Sequence, residues 1–284
     1  MALRTYEAFK YRGIASQGQS VVHIYESNLK AHPILVPSFP EQQKIAAILS
    51  TWDRAIELTE KLISAKQKRK QALMQQLLTG KVRLKEFVQP WSDVKAGSVF
   101  KKRSEKGQAD LPTLSVTMDR GLVRRDSIDR KMETTLEEGD HLLVRKGDIA
   151  YNMMRMWQGA SGLAQVNGIV SPAYVVLQPT AKIDSLFAAY LFKLPRTIKH
   201  FEDYSFGLTG DRLRLYYKDF AIIRLQIPTV KEQRAIACLL ATQDQELKIL
   251  HSRVHSLQKQ KKGLMQQLLT GKVRVKVEPE RVKV

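Results

Sequence analysis

Apolar residues recur alternately at every third and fourth position along two stretches of the chain. That spacing is typical of helices that pack against one another along a narrow seam, as in a coiled coil. We assign the first helical segment to residues 37–85 and the second to residues 227–276. The predicted seam consists of Ile45, Leu49, Trp52, Ile56, Ile63, Leu73 and Leu77 in the first segment and of Ile236, Leu240, Leu247, Leu250, Val254, Leu257, Leu264 and Leu268 in the second.

Signals for helix ends flank both segments. Ser38–Glu41 and Thr229–Glu232 have the spacing of a capping box, in which a hydroxyl and a carboxylate each bond a free backbone amide of the first turn. Gly80 and Gly271 follow the last leucines, where a left-handed cap is expected. Each segment is therefore predicted to be one long helix with defined ends.

The two helical segments are copies of each other. A shift of 191 residues superposes Leu73–Arg83 on Leu264–Arg274 as eleven consecutive identities, and the same shift pairs Pro37 with Pro228. Weaker likeness continues upstream, so residues 1–36 are interpreted as a remnant of the end of a first domain. Two such helices are expected to pack side by side as an antiparallel pair within one chain, because the entropy of closing a loop grows slowly with its length. A pair formed between two chains, which would give a homodimer, is the alternative that the sequence leaves open.

The residues between the helices, 86–226, have a different pattern. Leu142–Val144, Ile149–Tyr151 and Ala173–Leu177 are short runs typical of strands, and Lys146–Asp148 is expected to join the first two as a tight hairpin. Helices are predicted at about residues 183–194 and 196–201. The fold class that follows is α+β: a mixed α/β domain with a small curved sheet, plus two long antiparallel coiled-coil helices.

Positive charge is concentrated on the helical segments. Of the formal net charge of +19, residues 41–85 contribute +6 and residues 227–284 contribute +7. Such a balance indicates a polyanionic partner. The basic half of each helix is its C-terminal half, so complementing the helix dipole is a competing explanation for part of this charge.

Side chains suited to nucleic-acid contact occur in three groups within the middle domain. Arg, Asn and Gln can form two hydrogen bonds with a base edge, whereas Tyr and Lys commonly hold backbone phosphates. The tryptophan of the second group is more readily explained as a core residue than as a base-stacking one. The groups are Arg120, Arg124 and Arg125 in a glycine-containing loop; Asn152, Arg155, Trp157 and Gln158 after a predicted strand; and Arg212, Arg214, Tyr216, Tyr217 and Lys218 after the Gly207–Gly210 loop.

Motifs for catalysis, cofactors and metals are absent from the sequence. It has no phosphate-binding loop, no Gly-x-Gly-x-x-Gly fingerprint and no Asn- or Asp-Pro-Pro-aromatic motif. His251 and His255, one helical turn apart, are too few ligands for a metal site. The single cysteine, Cys238, excludes an intrachain disulfide and is interpreted as a small core residue. With no apolar run long enough to span a bilayer and no secretory signal, a cytoplasmic location is expected.

Two features of the sequence resemble one known family. Pro-x-x-x-Glu-Gln opens a long helix that closes with Leu-Met-Gln-Gln-Leu-Leu-Thr-Gly-Lys-Val-Arg, at Pro37–Arg83 and again at Pro228–Arg274. This pattern is similar to the conserved spacer of type I restriction-modification specificity subunits. Lys146–Tyr151, Gly168–Tyr174 and Gly210–Pro228 resemble that family's target recognition domain.

The resemblance implies a subunit without catalytic activity that reads double-stranded DNA. In the family, each recognition domain reads one half of a split target, and the paired helices hold the two domains apart. Modification (methyltransferase) and restriction subunits dock on the specificity subunit and carry the chemistry. The resemblance also implies a target recognition domain at 86–226 and spacer helices at 37–85 and 227–276. Residues 277–284 are interpreted as a basic, disordered tail.

One complete recognition domain, where the family normally has two, leaves two assemblies open. A single chain would read half of a target, whereas a homodimer would read a symmetric one. The alternative function, from a different class, is a structural coiled-coil adaptor that binds protein partners without reading DNA sequence.

Overall fold

A computed structural model of the chain describes residues 10, 25–30, 36–107, 110–118, 120–128, 140–210 and 212–277. The helices are α1 (Glu26–Lys30), α2 (Phe39–Leu77), α3 (Ala96–Val99), α4 (Ser185–Leu191), α5 (Pro195–Asp203), α6 (Tyr217–Ile222) and α7 (Val230–Leu269). The strands are β1 (Ser92–Lys95), β2 (Phe100–Arg103), β3 (Leu114–Thr117), β4 (Gly121–Arg124), β5 (Leu142–Val144), β6 (Ile149–Asn152), β7 (Ser161–Leu163), β8 (Gly168–Val170), β9 (Tyr174–Pro179) and β10 (Arg224–Ile227). These elements confirm the predicted α+β class.

The chain divides into two compact units. The first consists of Met1–Lys68 together with Asp244–Val284, and the second of Arg69–Gln243. The long helices α2 and α7 each contribute one part to each unit, because the divisions fall within them.

In the first unit, the early part of α2 lies antiparallel to the late part of α7. Ile45 and Leu49 are buried with Leu268 in one apolar cluster. Further along, an ion pair joins Lys66 to Glu246 at 2.6 Å. Ascending positions on α2 therefore meet descending positions on α7, which is the predicted antiparallel pairing.

In the second unit, the strands form small antiparallel sheets. Four strands hydrogen-bond in the order β2-β9-β6-β7, and the pairs β1-β10, β3-β4 and β5-β8 form separate two-stranded sheets. The predicted hairpin at Lys146–Asp148 is wrong, because β5 pairs with β8 whereas β6 pairs with β7 and β9. The Asp148 carboxylate instead accepts the Arg145 backbone N–H and forms a buried ion pair with Arg103.

The four-stranded sheet is covered by apolar side chains on both faces. Ile149 and Tyr151 of β6 belong to a large core cluster, whereas Ala150 between them belongs to a second cluster together with Val176 of β9. Because successive side chains of a strand point to opposite faces, β6 and β9 separate the two clusters. Their sequences are accordingly continuous apolar runs rather than alternating ones.

The helix ends in the second unit pack into the larger core. Leu77 of α2 and Ile236 and Leu240 of α7 are buried in it, together with aromatic rings such as Phe192 and Phe201, whose centroids lie 5.2 Å apart. Each apolar member of the cluster in the first unit has its counterpart, 191 residues away, in this core. The two copies of the repeat thus pack in the same way, once in each unit.

Two ion pairs are also related by the 191-residue repeat. Arg83 donates two hydrogen bonds, both 2.7 Å long, to the buried Glu232 carboxylate. Arg274 donates to the buried Glu41 carboxylate at 2.9 and 2.6 Å, and the Val275 backbone N–H donates to it at 3.1 Å. A shift of 191 residues converts one pair into the other.

These pairs correct the capping-box prediction. The Glu232 backbone N–H donates to the Thr229 hydroxyl at 3.4 Å, so this half of the motif is present. The Glu232 and Glu41 carboxylates, however, bind arginines of the opposite copy, since a buried carboxylate gains more from a bidentate guanidinium than from one amide. The left-handed caps are as predicted, with φ of 70° at Gly80 and 72° at Gly271.

Within the described residues, every member of the predicted seam is buried or half-buried. Leu49, Ile236 and Leu240 are at most 1% exposed. Cys238 is exposed, so its interpretation as a core residue is wrong. Arg234 and Thr242, four residues before and after it on the same helix face, are also exposed, so Cys238 lies on the outer side of the helix.

Candidate nucleic-acid interface

Two of the three predicted contact groups lie together in the structure. The Leu215 backbone N–H donates to the Met153 carbonyl at 2.9 Å, which ties the segment before α6 to the turn after β6. We call residues 152–158 together with 206–210 and 212–218 the paired-loop surface. The tie that forms it connects residues 62 positions apart in the sequence.

The first part of this surface is a turn shaped by its own polar groups. The Asn152 side chain accepts the Met154 backbone N–H at 2.9 Å, and the Trp157 indole donates to the Met154 carbonyl at 3.0 Å. Trp157 is half-buried, whereas Arg155 and Gln158 are exposed. The turn therefore presents a guanidinium and an amide to solvent from a fixed backbone.

The second part is a closed loop. Phe206 and Arg214 exchange two backbone hydrogen bonds of 3.0 and 2.9 Å, which fix the ends of the chain between them. A Cβ at Gly207 would lie 2.3 Å from the carbonyl oxygen of Arg212, so the loop requires glycine there. Arg212 and Arg214 are exposed on this loop.

Tyrosines and a lysine follow the loop. Tyr216 and Lys218 are exposed. The Tyr217 hydroxyl donates to the Phe100 carbonyl at 3.0 Å, so this side chain serves packing. Because its donor is already used, Tyr217 is less suited to hold a phosphate than its neighbours are.

The cations of the paired-loop surface are available to a partner. In the part of the chain that the structure describes, Arg155, Arg212, Arg214 and Lys218 form no ion pair. Unpaired guanidinium and ammonium groups attract phosphates and displace the counterions bound to them. The electrostatic character of this surface is therefore positive.

The surface is supported from below by a buried tyrosine and a carboxylate. The Tyr151 hydroxyl and one Asp219 carboxylate oxygen are buried, and neither has a hydrogen-bond partner among the described residues. Burial, followed by the charge of Asp219, raises the pKa of Tyr151 well above its usual value. The tyrosine therefore stays neutral beneath the turn that begins at Asn152.

Exposed apolar side chains complete the paired-loop surface, and the sequence reasoning missed them. Phe206, Leu208 and Met154 are 61%, 97% and 42% exposed. Apolar side chains can contact the methyl groups of thymine in the major groove. Their signal in the sequence is a Phe-Gly-Leu-Thr-Gly run, whose apolar residues stand between glycines where a core residue is not expected.

The first predicted group lies on a separate hairpin. Arg124 ends β4 and is paired with Asp126 at 2.9 Å, so part of its charge is neutralised. The hairpin β3-β4 lies against β7, where a Cβ on Gly162 would be 2.0 Å from the Leu122 backbone nitrogen. Arg120 is exposed and Arg125 half-buried, and both have interactions within the chain.

Across the described residues, no group of three or more His, Cys, Asp or Glu side chains has the arrangement of a metal site. The helices of the described part include none that is both long and apolar enough to cross a membrane.

Comparisons of the sequence with known proteins agree on one family. A family model described as the type I restriction modification DNA specificity domain matches residues 4–66. The chain is 25% identical, over 92% of its length, to the type I restriction enzyme MjaVIII specificity subunit of Methanocaldococcus jannaschii. It is 27% identical, over 94% of its length, to the putative type I restriction enzyme MjaX specificity subunit of the same organism.

A solved structure shares the fold. The HsdS subunit from Thermoanaerobacter tengcongensis superposes with a TM-score of 0.55 over 95% of this chain, at 17% sequence identity. The chain spans 67% and 65% of the length of the two sequence relatives and 68% of this structure. The predicted resemblance to a specificity subunit, rather than to a catalytic one, is confirmed by these relatives.

Proposed function

We propose that this relative of type I restriction-modification specificity subunits is itself a DNA sequence-specificity subunit without a catalytic site of its own. The observation that carries the proposal is the paired-loop surface, where unpaired cations and exposed apolar side chains stand on two loops that are fixed to each other. Sequence recognition needs rigid placement of such groups, because a base edge is distinguished by the geometry of its donors and acceptors.

Roles within the paired-loop surface follow from side-chain chemistry. Arg155, Gln158 and Arg214 are proposed to contact base edges, because guanidinium and amide groups can form two parallel hydrogen bonds. Lys218 and Tyr216 are proposed to hold backbone phosphates. The arginines of the β3-β4 hairpin, already engaged within the chain, are proposed to have a lesser role.

The chain is proposed to function within a larger assembly. Residues 86–226 would be the target recognition domain, and the spacer segments 37–85 and 227–276 would dock modification and restriction subunits. The chemistry would reside in those subunits. The predicted tail at 277–284 lies, apart from residue 277, outside the described residues, and its two basic side chains are balanced by two acidic ones, so no DNA contact is proposed for it.

A homodimer is the proposed route to two recognition domains. The two copies of the repeat differ in how they are covered, because Ala237 of the second copy is 2% exposed whereas its counterpart Ala46 in the first copy is exposed. The exposed face of the first copy is the one that a second chain is proposed to cover. Equilibrium sedimentation across micromolar concentrations should show a dimer, alone or with modification subunit. Monomer under both conditions would contradict this arrangement and leave the chain reading half a target.

The decisive experiment is selection of bound sequences from a random duplex pool, with modification subunit present, at two salt concentrations. Recovery of a short fixed motif is the expected result, and a single or inverted motif reports one recognition domain or two. Salt-sensitive binding that returns no motif would reduce the domain to non-specific contact. Absence of binding at both salt concentrations would favour the coiled-coil adaptor.

A further inference from the structure

The turn at residues 152–158 is closed by one residue that lies just beyond it. The Ala160 backbone N–H donates to the Arg155 carbonyl at 3.1 Å, and the Ala160 carbonyl accepts the Asn152 backbone N–H at 3.1 Å. The Arg155 carbonyl also accepts the Gln158 backbone N–H at 3.0 Å. The positions of Arg155 and Gln158 therefore depend on how the backbone around Ala160 is held.

A lysine from another part of the domain holds this backbone. The Lys193 ammonium donates to the Gly159 carbonyl at 2.8 Å and to the Ser161 carbonyl at 2.9 Å, so it bonds the residues on both sides of Ala160. Lys193 lies 34 positions after Gly159 in the sequence and is half-buried. Hydrogen bonds from a charged donor are roughly twice as strong as those between neutral groups, so this contact constrains the turn tightly.

Lys193 acts from a rigid base between α4 and α5. The residues on either side of it, Phe192 and Leu194, are buried in the larger core. The same region also touches the end of the turn, because a Cβ at Gly159 would lie 2.8 Å from the Cδ1 atom of Ile198 on α5. Movement of the turn is therefore opposed by a bond from one side chain and by close packing against another.

We propose that Lys193 is a positioning residue for DNA recognition, which sets the base selectivity of Arg155 and Gln158 without contacting DNA itself. The inference rests on the proposed function, in which those two side chains read base edges. A base edge is distinguished by where the donors and acceptors that face it are placed. Loss of the ammonium would deprive two carbonyls of their charged donor, and the turn would shift relative to the loop paired with it.

The Trp157 indole reports the position of the turn in the absence of DNA, because it donates to the Met154 carbonyl within the same turn. Lys193→Met keeps an unbranched side chain of similar length but removes the ammonium. In ¹⁵N-labelled protein this variant should shift the Trp157 indole resonance, which Trp157→Phe assigns, while circular dichroism stays unchanged. An unshifted resonance in the folded variant would overturn the proposal.

The matched control is Lys199→Met. Lys199 is an exposed lysine on α5, and its ammonium pairs with Glu202 and Asp203 at 3.0 Å rather than with the turn. The control removes one positive charge from the same region, so it should leave both the Trp157 resonance and the base selectivity unchanged. Equal effects of the two lysine variants would assign the result to charge alone and contradict positioning.

Base selectivity is measured by titrating each variant with the selected motif and with its single-base variants, with modification subunit present. Lys193→Met should reduce the preference at a position read by Arg155 or Gln158 by about tenfold. A double-mutant cycle tests whether this effect passes through the turn. Once Arg155→Ala or Gln158→Ala has removed the side chain that reads the position, Lys193→Met should change selectivity there little further.

Three outcomes separate the explanations. An equal loss of affinity for all sequences, with a salt dependence smaller by about one released counterion, would make Lys193 a direct phosphate contact and overturn the proposal. Additive effects in the cycle would also overturn it. Absence of any motif from the random pool would defeat the proposed function, and the Trp157 resonance would still decide whether Lys193 positions the turn. If Lys193→Met does not fold, Lys193→Gln, which keeps an amide donor, should give the same changes at smaller size.

Discussion

Gln42 and Gln233 occupy the same position in the two copies of the helical repeat, but only Gln233 is buried. Its amide accepts the Asp184 backbone N–H at 2.7 Å and donates to the Lys182 carbonyl at 3.2 Å and to the carbonyl of the proline five residues before it at 2.8 Å. Gln42 makes the equivalent bond to its own proline at 2.8 Å. Both glutamines therefore bond the proline of their own copy, but only Gln233 also bonds the middle domain.

Gln233→Ala should therefore destabilise the protein much more than Gln42→Ala. Removal of the Gln233 amide leaves buried backbone groups at Asp184 and Lys182 unpaired, which should lower the free energy of unfolding by about 2–3 kcal/mol. Removal of the exposed Gln42 amide should lower the free energy of unfolding by no more than about 0.5 kcal/mol. Urea unfolding of both variants measures the difference, and equal losses would contradict it.

Glu41 should give the stability of the protein a dependence on acidic pH. The Arg274 guanidinium, with the Val275 backbone N–H, lowers the pKa of the Glu41 carboxyl from 4.5 to about 2. The stabilisation is present above pH 4.5 and is lost as the pH falls from 4.5 towards about 2. The difference in unfolding midpoint between wild type and Glu41→Gln should be constant near neutral pH and shrink in that window.

A suitable control for Glu41→Gln is Glu57→Gln. Glu57 pairs with Lys61 on the exposed side of α2, and exposed pairs within a helix contribute little. The control should therefore differ little from wild type at every pH. If the difference in unfolding midpoint between wild type and Glu41→Gln widened on acidification, the proposed role of Glu41 in stability would be contradicted.

Asp148→Ala should be strongly destabilising. Asp148 and Arg103 are 4% and 6% exposed, and loss of the carboxylate leaves a guanidinium buried beside Glu105 alone. Breaking a buried pair from one side costs about 3–5 kcal/mol. Asp126→Ala removes an exposed partner of Arg124 and should cost less than about 1 kcal/mol. Denaturant unfolding of both variants gives the comparison.

Arg155→Ala should alter which DNA sequences are bound. If its guanidinium contacts a base edge, the variant should lose about 1–3 kcal/mol on the preferred target and accept other bases at one position. Arg124→Ala, on a side chain paired with Asp126, should have a smaller effect. Binding titrations against single-base variants of the selected motif measure this. A loss that is equal for all sequences would assign Arg155 to a phosphate instead.

Gly207→Ala should impair DNA binding while leaving the fold intact. The added Cβ would lie 2.3 Å from the Arg212 carbonyl oxygen, so the loop must change shape. The displaced loop carries Leu208 and Arg212, which should reduce affinity for the selected motif at least tenfold, while circular dichroism stays unchanged. Gly210→Ala is the matched control, because a Cβ at Gly210 meets no atom within 4 Å. Equal affinities for the two variants would contradict the role of the loop.

The helical part of the fold was predictable because its signals are local. A seam repeating every three or four residues and a glycine that can adopt positive φ specify a long helix and its end without knowledge of distant residues. The carboxylates at the helix starts were misassigned because Arg83 and Arg274, their partners, lie well over a hundred residues away. Nothing in the capping-box spacing distinguishes a carboxylate that caps from one that forms an ion pair.

Strand pairing and the site needed more than local pattern. Leu142–Val144 and Ile149–Tyr151 were predicted as strands from composition, but their partners β8 and β9 are selected by which faces can be buried together. The exposed arginines of the site were recognisable by residue type. That Arg155 and Arg214 share a surface depends on one backbone bond between Leu215 and Met153, which has no sequence signature.

The two carboxylate–arginine pairs join the start of each copy to the end of the other, since Glu41 binds Arg274 and Glu232 binds Arg83. Glu232 and Arg274 nevertheless flank the same helix, so each copy encodes both halves of the contact. A surface that carries both halves is self-complementary, as in an isologous interface. Two copies on separate polypeptides would therefore keep the groups that form both carboxylate–arginine pairs, related by a two-fold axis. Whether the two copies belong to one chain would change only the number of polypeptides that these pairs join.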